Sequence, residues 1–183
     1  MPFRLLGIAA DPEDAGDVCG QAFARYAGSG TEVTLLCAGA ADWSTAGKPA
    51  LRRLGVRDLV LLDYQEILDS AELEAAIADL MAGLRPHVVV LGEKHQQLCR
   101  VAASAFSRVR QVAGGSAALP AKLYQRVPGS AAMTRVTTAI GVPQGPPELF
   151  VRLHPAPWVT GVLERDLFGG LLADPDAEER LAS

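Results

Sequence analysis

Phe3–Ala9, FRLLGIA, followed at once by Ala10-Asp11-Pro12, is the stretch on which the fold turns. A short apolar run closed by an acid and a proline predicts a buried strand. The next apolar pattern has a different period. Val18, Ala22, Phe23 and Tyr26 recur at three- and four-residue steps, which predicts a helix over Asp17–Ala27. Gly28-Ser29-Gly30 ends it, and Glu32–Cys37 (EVTLLC), apolar and β-branched, predicts a second strand. Strand, helix, strand is the building unit of a parallel sheet.

The alternation continues along the chain. Ala38–Lys48 reads as a loop, Pro49–Leu54 as one or two helical turns and Asp58–Leu62 as a third strand. Ser70 can cap a helix running to Gly83, with Leu73, Ile77, Leu80 and Met81 as its stripe. Pro86 ends that region, and His87–Leu91 (HVVVL) is the most strand-like segment of the chain. After Gly92-Glu93-Lys94-His95 a further helix carries Leu98, Val101, Ala102, Ala105, Phe106 and Val109 on one face. The expected architecture is α/β: a Rossmann-like, mostly parallel sheet flanked by helices, with residues 1–113 as its core.

Residues 114–183 read as a short C-terminal β/α extension of the same single domain. Gly114-Gly115-Ser116 is a joint, Lys122–Val127 and Thr134–Ile140 look like strands, and Gly141–Pro147 (GVPQGPP) is a loop. Trp158–Leu171 is the expected last helix, and Asp174–Ser183 a polar tail.

Composition narrows the partners. The length of 183 residues suits one domain, and with aromatics at only 5% the core must be filled by Ala, Val and Leu. A net charge of -4 without any basic run argues against nucleic acid or an anionic membrane surface as partner. No apolar run approaches the roughly 20 residues of a membrane span, and Pro2–Ala10 is too short and lightly charged for a signal peptide, so the expected location is cytoplasmic. Cys19, Cys37 and Cys99 are odd in number and widely spaced, neither a disulfide framework nor a metal motif, and each reads as a small core residue.

A parallel sheet carries its site in loops at the carboxyl ends of the strands. That points to Ala10–Asp17 and Gly92–Gln97, both with ionisable residues. Asp11, Glu13 and Asp14 follow the first strand directly. Acids there suit a helix N-terminus, where the macrodipole favours negative charge; clustered with a histidine, they also suit a metal. His95 is the histidine in place for that, although a lone loop histidine is also compatible with simple exposure or hydrogen bonding. His87 and His154 have no partner at metal-ligand spacing, and Glu66, after the third strand, either reaches the same rim or is a solvated acid. The chain has no GxGxxG after its first strand, no P-loop and no GxSxG elbow, which removes the support for dinucleotide, nucleotide-triphosphate or serine-hydrolase chemistry.

The order of these pieces resembles the zinc-dependent N-acetylglucosaminyl deacetylases of the LmbE-like, PIG-L type. In that family the first strand ends in AHPDDE, and a helix with a GG or CGG step and a VTLL-like strand follow; here Ile8–Ala15 (IAADPEDA), Asp17-Val18-Cys19-Gly20 and Glu32–Cys37 stand in those places. The family's LGV, next strand and YxD-like turn resemble Leu54-Gly55-Val56, Asp58–Leu62 and Tyr64-Gln65-Glu66. Its RPDVV strand, HPDH motif and ERDLF-like ending resemble Arg85–Val90, His95–Leu98 and Glu164–Phe168.

The resemblance implies roles, and also departures. The first metal-ligand histidine falls on Asp11, the catalytic base on Glu13, and the second acid, a metal ligand, is kept as Asp14. The motif's last Glu has become Ala15. The histidine that helps stabilise the tetrahedral intermediate is kept as His95, while the third metal ligand has become Leu98. The substrate-binding arginine falls near Ser44, so that anchor is gone; Glu66 is the candidate substrate-binding residue. A zinc site normally has three protein ligands and a water, and only Asp14 keeps both identity and position. Zinc is thus the implied cofactor of a degenerate site, and an amino-sugar-like small molecule the implied ligand. Three readings stand: a non-catalytic binding or structural protein or partner subunit, a metal-dependent amide hydrolase with altered ligands Asp11, Asp14 and His95, or a sugar or nucleotide-sugar binding module using the old substrate cleft.

Overall fold

The computed structural model describes residues 2–11, 14–39, 47–64, 71–92, 94–114, 119–126, 134–136, 148–154, 167–168 and 171. The opening run forms β1 (Arg4–Ala9), buried at five of its six residues. It is buried on both faces because it is central: parallel strands flank it and helices cover both sides. Then come α1 (Asp14–Gly28), β2 (Glu32–Gly39), α2 (Gly47–Arg53), β3 (Val56–Tyr64), α3 (Ala71–Leu84), β4 (Val88–Leu91) and α4 (Gln96–Ala113). The extension adds β5 (Lys122–Arg126), β6 (Thr134–Val136) and β7 (Glu148–His154).

Among the described residues these strands make one seven-stranded sheet in the order β3-β2-β1-β4-β5-β7-β6. The first five are parallel, and β7 runs antiparallel to both β5 and β6. The expected fold class therefore holds. The chain winds outward from β1 to β3 and then returns to place β4 on the other side of β1. That reversal makes a crevice between the carboxyl ends of β1 and β4.

Side chains alternate across the sheet as the pleat requires. Leu5 and Ala9 face α1 and α2, while Leu6, Ile8 and Ala10 face α3 and α4. Gly7 lies on the α1 face, where a Cβ would stand 2.2 Å from Cζ of the fully buried Phe23. The glycine thus lets the ring lie directly on the strand. Gly55 holds φ +80 in the turn into β3, and a Cβ there would meet that of Ala27 at 2.3 Å. The stripe expected on α4 is buried at every position. On α3, Leu73, Ile77 and Met81 are buried as expected, joined by Ala78, with Leu80 only partly covered. Helix α1 starts at Asp14, three residues before the expected Asp17, so the loop after β1 is shorter.

The extension departs from expectation. The end of the expected Trp158–Leu171 helix is a turn at Leu167 and Phe168, closed by the Leu171 amide donating to the Phe168 carbonyl at 2.9 Å. The cause is tertiary. The Leu167 amide donates to Tyr26 Oη at 2.8 Å, and Tyr124 Oη donates to the Leu167 carbonyl at 3.3 Å. The Phe168 ring packs 5.0 Å from both Phe3 and Tyr26. Buried backbone groups need partners, and two tyrosines supply them without a helix. Strand β7 has no counterpart among the expected elements, whereas the described part of the expected Thr134–Ile140, Thr134–Val136, is strand. Ser70, Val127, residues 137–147, residues 158–166 of the expected last helix and the 174–183 tail lie outside the described residues.

His87 precedes the sheet pairing, which starts at Val88, and ties strand starts together. Its amide donates to the Arg4 carbonyl at 2.9 Å, its Nδ1 accepts from the Arg4 amide at 3.1 Å, and its carbonyl accepts from Ala121 and Lys122. Burial, reinforced by the Arg4 charge, holds its pKa below the ordinary 6.5. A folded pKa below the unfolded one means the unfolded chain binds the proton more readily. The stabilisation is therefore complete above about pH 6.5 and is lost as pH falls below it. Melting temperature should drop between about pH 7.5 and 5.5, and less so in His87→Asn, whose side-chain oxygen accepts without titrating. An equal acid slope in both proteins would assign the effect to another group.

Candidate functional site

The crevice forms where β1 and β4 end side by side, with Ile8 in register with Leu91. The chain leaves β1 through Ala10, whose carbonyl accepts from the Gly39 amide at 2.7 Å, and then reaches Asp11. It leaves β4 through Gly92 and enters α4, with His95 at the N-cap. The His95 carbonyl accepts the first helical bond, from the Cys99 amide at 3.0 Å, while its side chain makes no cap bond. Here lies a cleft of about 10 Å³ lined by Ile8, Ala10, Lys94, His95, Leu98, Cys99 and their neighbours, at the threshold for a single water. Leu98 is 3% exposed and belongs to the apolar cluster of Ile8, Ala10, Leu91, Val101 and Ala102.

Cys99 is the nearest potential nucleophile. Its Sγ donates to the Gly92 carbonyl at 2.9 Å, with Gln125 Nε2 3.6 Å away. Burial pushes its thiol pKa up, which disfavours the nucleophilic thiolate. The expectation of a core cysteine holds fully for Cys37, whereas Cys99 is only partly covered and borders the cleft; the side chain of Cys19 lies outside the described residues.

Of the residues singled out from sequence, the structure brings two to this cleft. His95 is exposed on its rim and Leu98 is buried in its wall. Asp11, half-buried, follows the lining residue Ala10 but does not itself line the cleft. Asp14 opens α1, but its side chain, like all of Glu13 and Glu66, lies outside the described residues. Among the described residues, no three His, Cys, Asp or Glu side chains are grouped so as to hold a metal ion. Lys94 and Cys99 are site residues that the sequence reading misses. Cys99 has a signal, standing four residues after His95 on the same side of the helix. No helix among the described residues is long and apolar enough to cross a membrane.

No protein-family model and no curated protein matches the sequence. Solved structures do match its fold. A conserved protein of Thermus thermophilus is similar at TM-score 0.57 and 22% identity, over 66% of this chain and 64% of that one. The N,N'-diacetylchitobiose deacetylase of Pyrococcus horikoshii, solved with an inhibitor, is similar at TM-score 0.51 and 18% identity, over 67% and 59%. The 4-carboxy-2-hydroxymuconate hydratase GalB of Pseudomonas putida is similar at TM-score 0.53 and 16% identity, over 69% and 66%. The chain thus spans about three-fifths to two-thirds of the length of these proteins. At such identities the likeness is one of fold. A hydratase and a deacetylase share that fold, so the reaction has to be argued from the site.

Proposed function

We propose that this chain is an LmbE-like deacetylase-fold protein whose zinc site has been dismantled, and that it serves as a non-catalytic binding or partner protein. The observation that carries this reading is Leu98, 3% exposed in an apolar cluster beside the crevice where the resemblance puts the third zinc ligand. An alkyl group offers no lone pair, and its packing with Val101 and Ala102 gives it a structural reason to stay. Zinc, when bound in such a fold, would lower the pKa of its water to about 7 and polarise the amide carbonyl. Without it a carboxylate at position 13 is a poor base toward bulk water. The ligand class we assign is amino-sugar-like, with Glu66 as the proposed substrate-binding acid.

A second reading has its own support. Asp11 and His95 stand at the ends of adjacent strands, on either side of the chain reversal. With Asp14 they would make two carboxylates and one imidazole, a competent zinc set, and Glu13 would act as base without His95's help. Elemental analysis after purification from zinc-containing medium separates the two. The first reading expects far less than one zinc per chain and no acetate release from N-acetylated amino-sugars. About one tightly held zinc per chain, lost in Asp14→Ala, would replace it with the second.

A further inference from the structure

A second groove lies away from this cleft, between the C-terminal halves of α3 and α4. Both helices run back against the strands, so these halves sit at the opposite end of the sheet. The groove encloses roughly 720 Å³ and is floored by small apolar groups, chiefly Ala78, Ala82, Val109, Ala113 and Leu119. At its lip stands Val112, 85% exposed, against 43% and 37% for the other exposed large hydrophobics, Leu61 and Leu153. Helical spacing explains this: Val109 belongs to the buried stripe of α4, and Val112, three residues on, falls at its edge. The same lip carries Asp79 from α3 and Arg108 from α4, with Arg85 beside them. Arg108 is held only loosely within its own chain, its Nη1 3.9 Å from Glu74 Oε1.

A surface with one apolar knob, one apolar hole and both signs of charge is complementary to itself. A purely acidic partner would meet Asp79, and a purely basic one the arginines. We propose that this face is a self-association surface, on which two copies pair about a two-fold axis. Each Val112 enters the other copy's groove, and each Asp79 meets Arg108 of the partner subunit. In such an isologous contact every pairing occurs twice, so a modest lip interaction is doubled.

Sedimentation of the full chain from about 1 to 100 µM tests this, with wild type expected as a dimer at the upper end. Val112→Asp would bring a carboxylate into the apolar groove of the partner. It should weaken association at least about 100-fold while leaving the far-ultraviolet spectrum and the melting temperature of the dilute protein unchanged. Asp79→Arg and Arg108→Asp should each be monomeric alone, because like charges then face across the axis. Mixed in equal amounts, they should recover a dimer, since both contacts become opposite in sign again. A wild type that stays monomeric at about 100 µM overturns the proposal, as does a dimer indifferent to Val112→Asp. Failure of the mixed variants to associate overturns the assigned pairing.

Discussion

Replacing Gly7 by valine is expected to leave much of the protein unfolded at ambient temperature. Position 7 is in the central strand, paired with Leu35 on one side and Val90 on the other. A Cβ would stand 2.2 Å from Cζ and 3.0 Å from Cε1 of Phe23, whose ring is wholly buried under α1. Neither partner can yield cheaply, because the strand is held on both edges and the ring is enclosed by the core. Overpacking by a few methyl groups costs about 1–3 kcal/mol and sometimes more. Valine brings three carbons to a place too tight for one, so a loss of at least about 3 kcal/mol is expected against a total of about 5–15. Urea unfolding followed by circular dichroism reads it. A cycle of Gly7→Ala, Phe23→Leu and the double variant tests the cause, since leucine lacks the ring carbon that the new methyl strikes. The double variant should cost less than the sum of the two; strict additivity would mean that the ring is not what keeps the glycine.

The parts of the fold legible in the sequence are those set by local period. Helix α4 is legible to the residue along Leu98, Val101, Ala102, Ala105, Phe106 and Val109, because one face of one helix decides all six. The central strands are legible for the same reason: burial on both faces leaves an unbroken apolar run. Strand β7 is not. Its ELFVRLH holds three apolar residues in succession and then a mixture, and its partner β5 lies more than twenty residues back, so nothing local marks it. The turn at Leu167 is hidden likewise, since the hydroxyls that satisfy it come from Tyr26 and Tyr124. His87 reads as the start of a strand; its two bonds to Arg4 arise only when β1 lies beside β4. The location of the site at the ends of β1 and β4 follows from topology. That Cys99 turns its thiol to the Gly92 carbonyl is visible only in three dimensions.

On the proposed reading of a dismantled site, Leu98→His should create a dependence on zinc. Leu98 is 3% exposed among Ile8, Ala10, Leu91, Val101 and Ala102, none of which offers a side-chain hydrogen bond. An imidazole there loses the packing of the isobutyl group and brings a polar ring into an apolar cluster. Without metal, a loss of about 2–5 kcal/mol is expected. If the site was dismantled at this position, the same ring supplies the missing third donor, joining Asp11 and Asp14 as a set of the size zinc needs. Binding to the native state alone then returns stability as the logarithm of zinc over its dissociation constant, about 4 kcal/mol at a thousandfold excess. The variant should thus melt well below wild type in chelator and regain most of the difference in about 100 µM zinc, while wild type does not move. Leu98→Gln, polar but a poor zinc ligand, should show the loss without the recovery. A variant that stays unstable in zinc would mean that the two aspartates do not face position 98, and the dismantled-site reading would fall. A wild type that gains as much from zinc as the variant would instead support the altered set of Asp11, Asp14 and His95, with Leu98 a core residue that never stood in the metal's way.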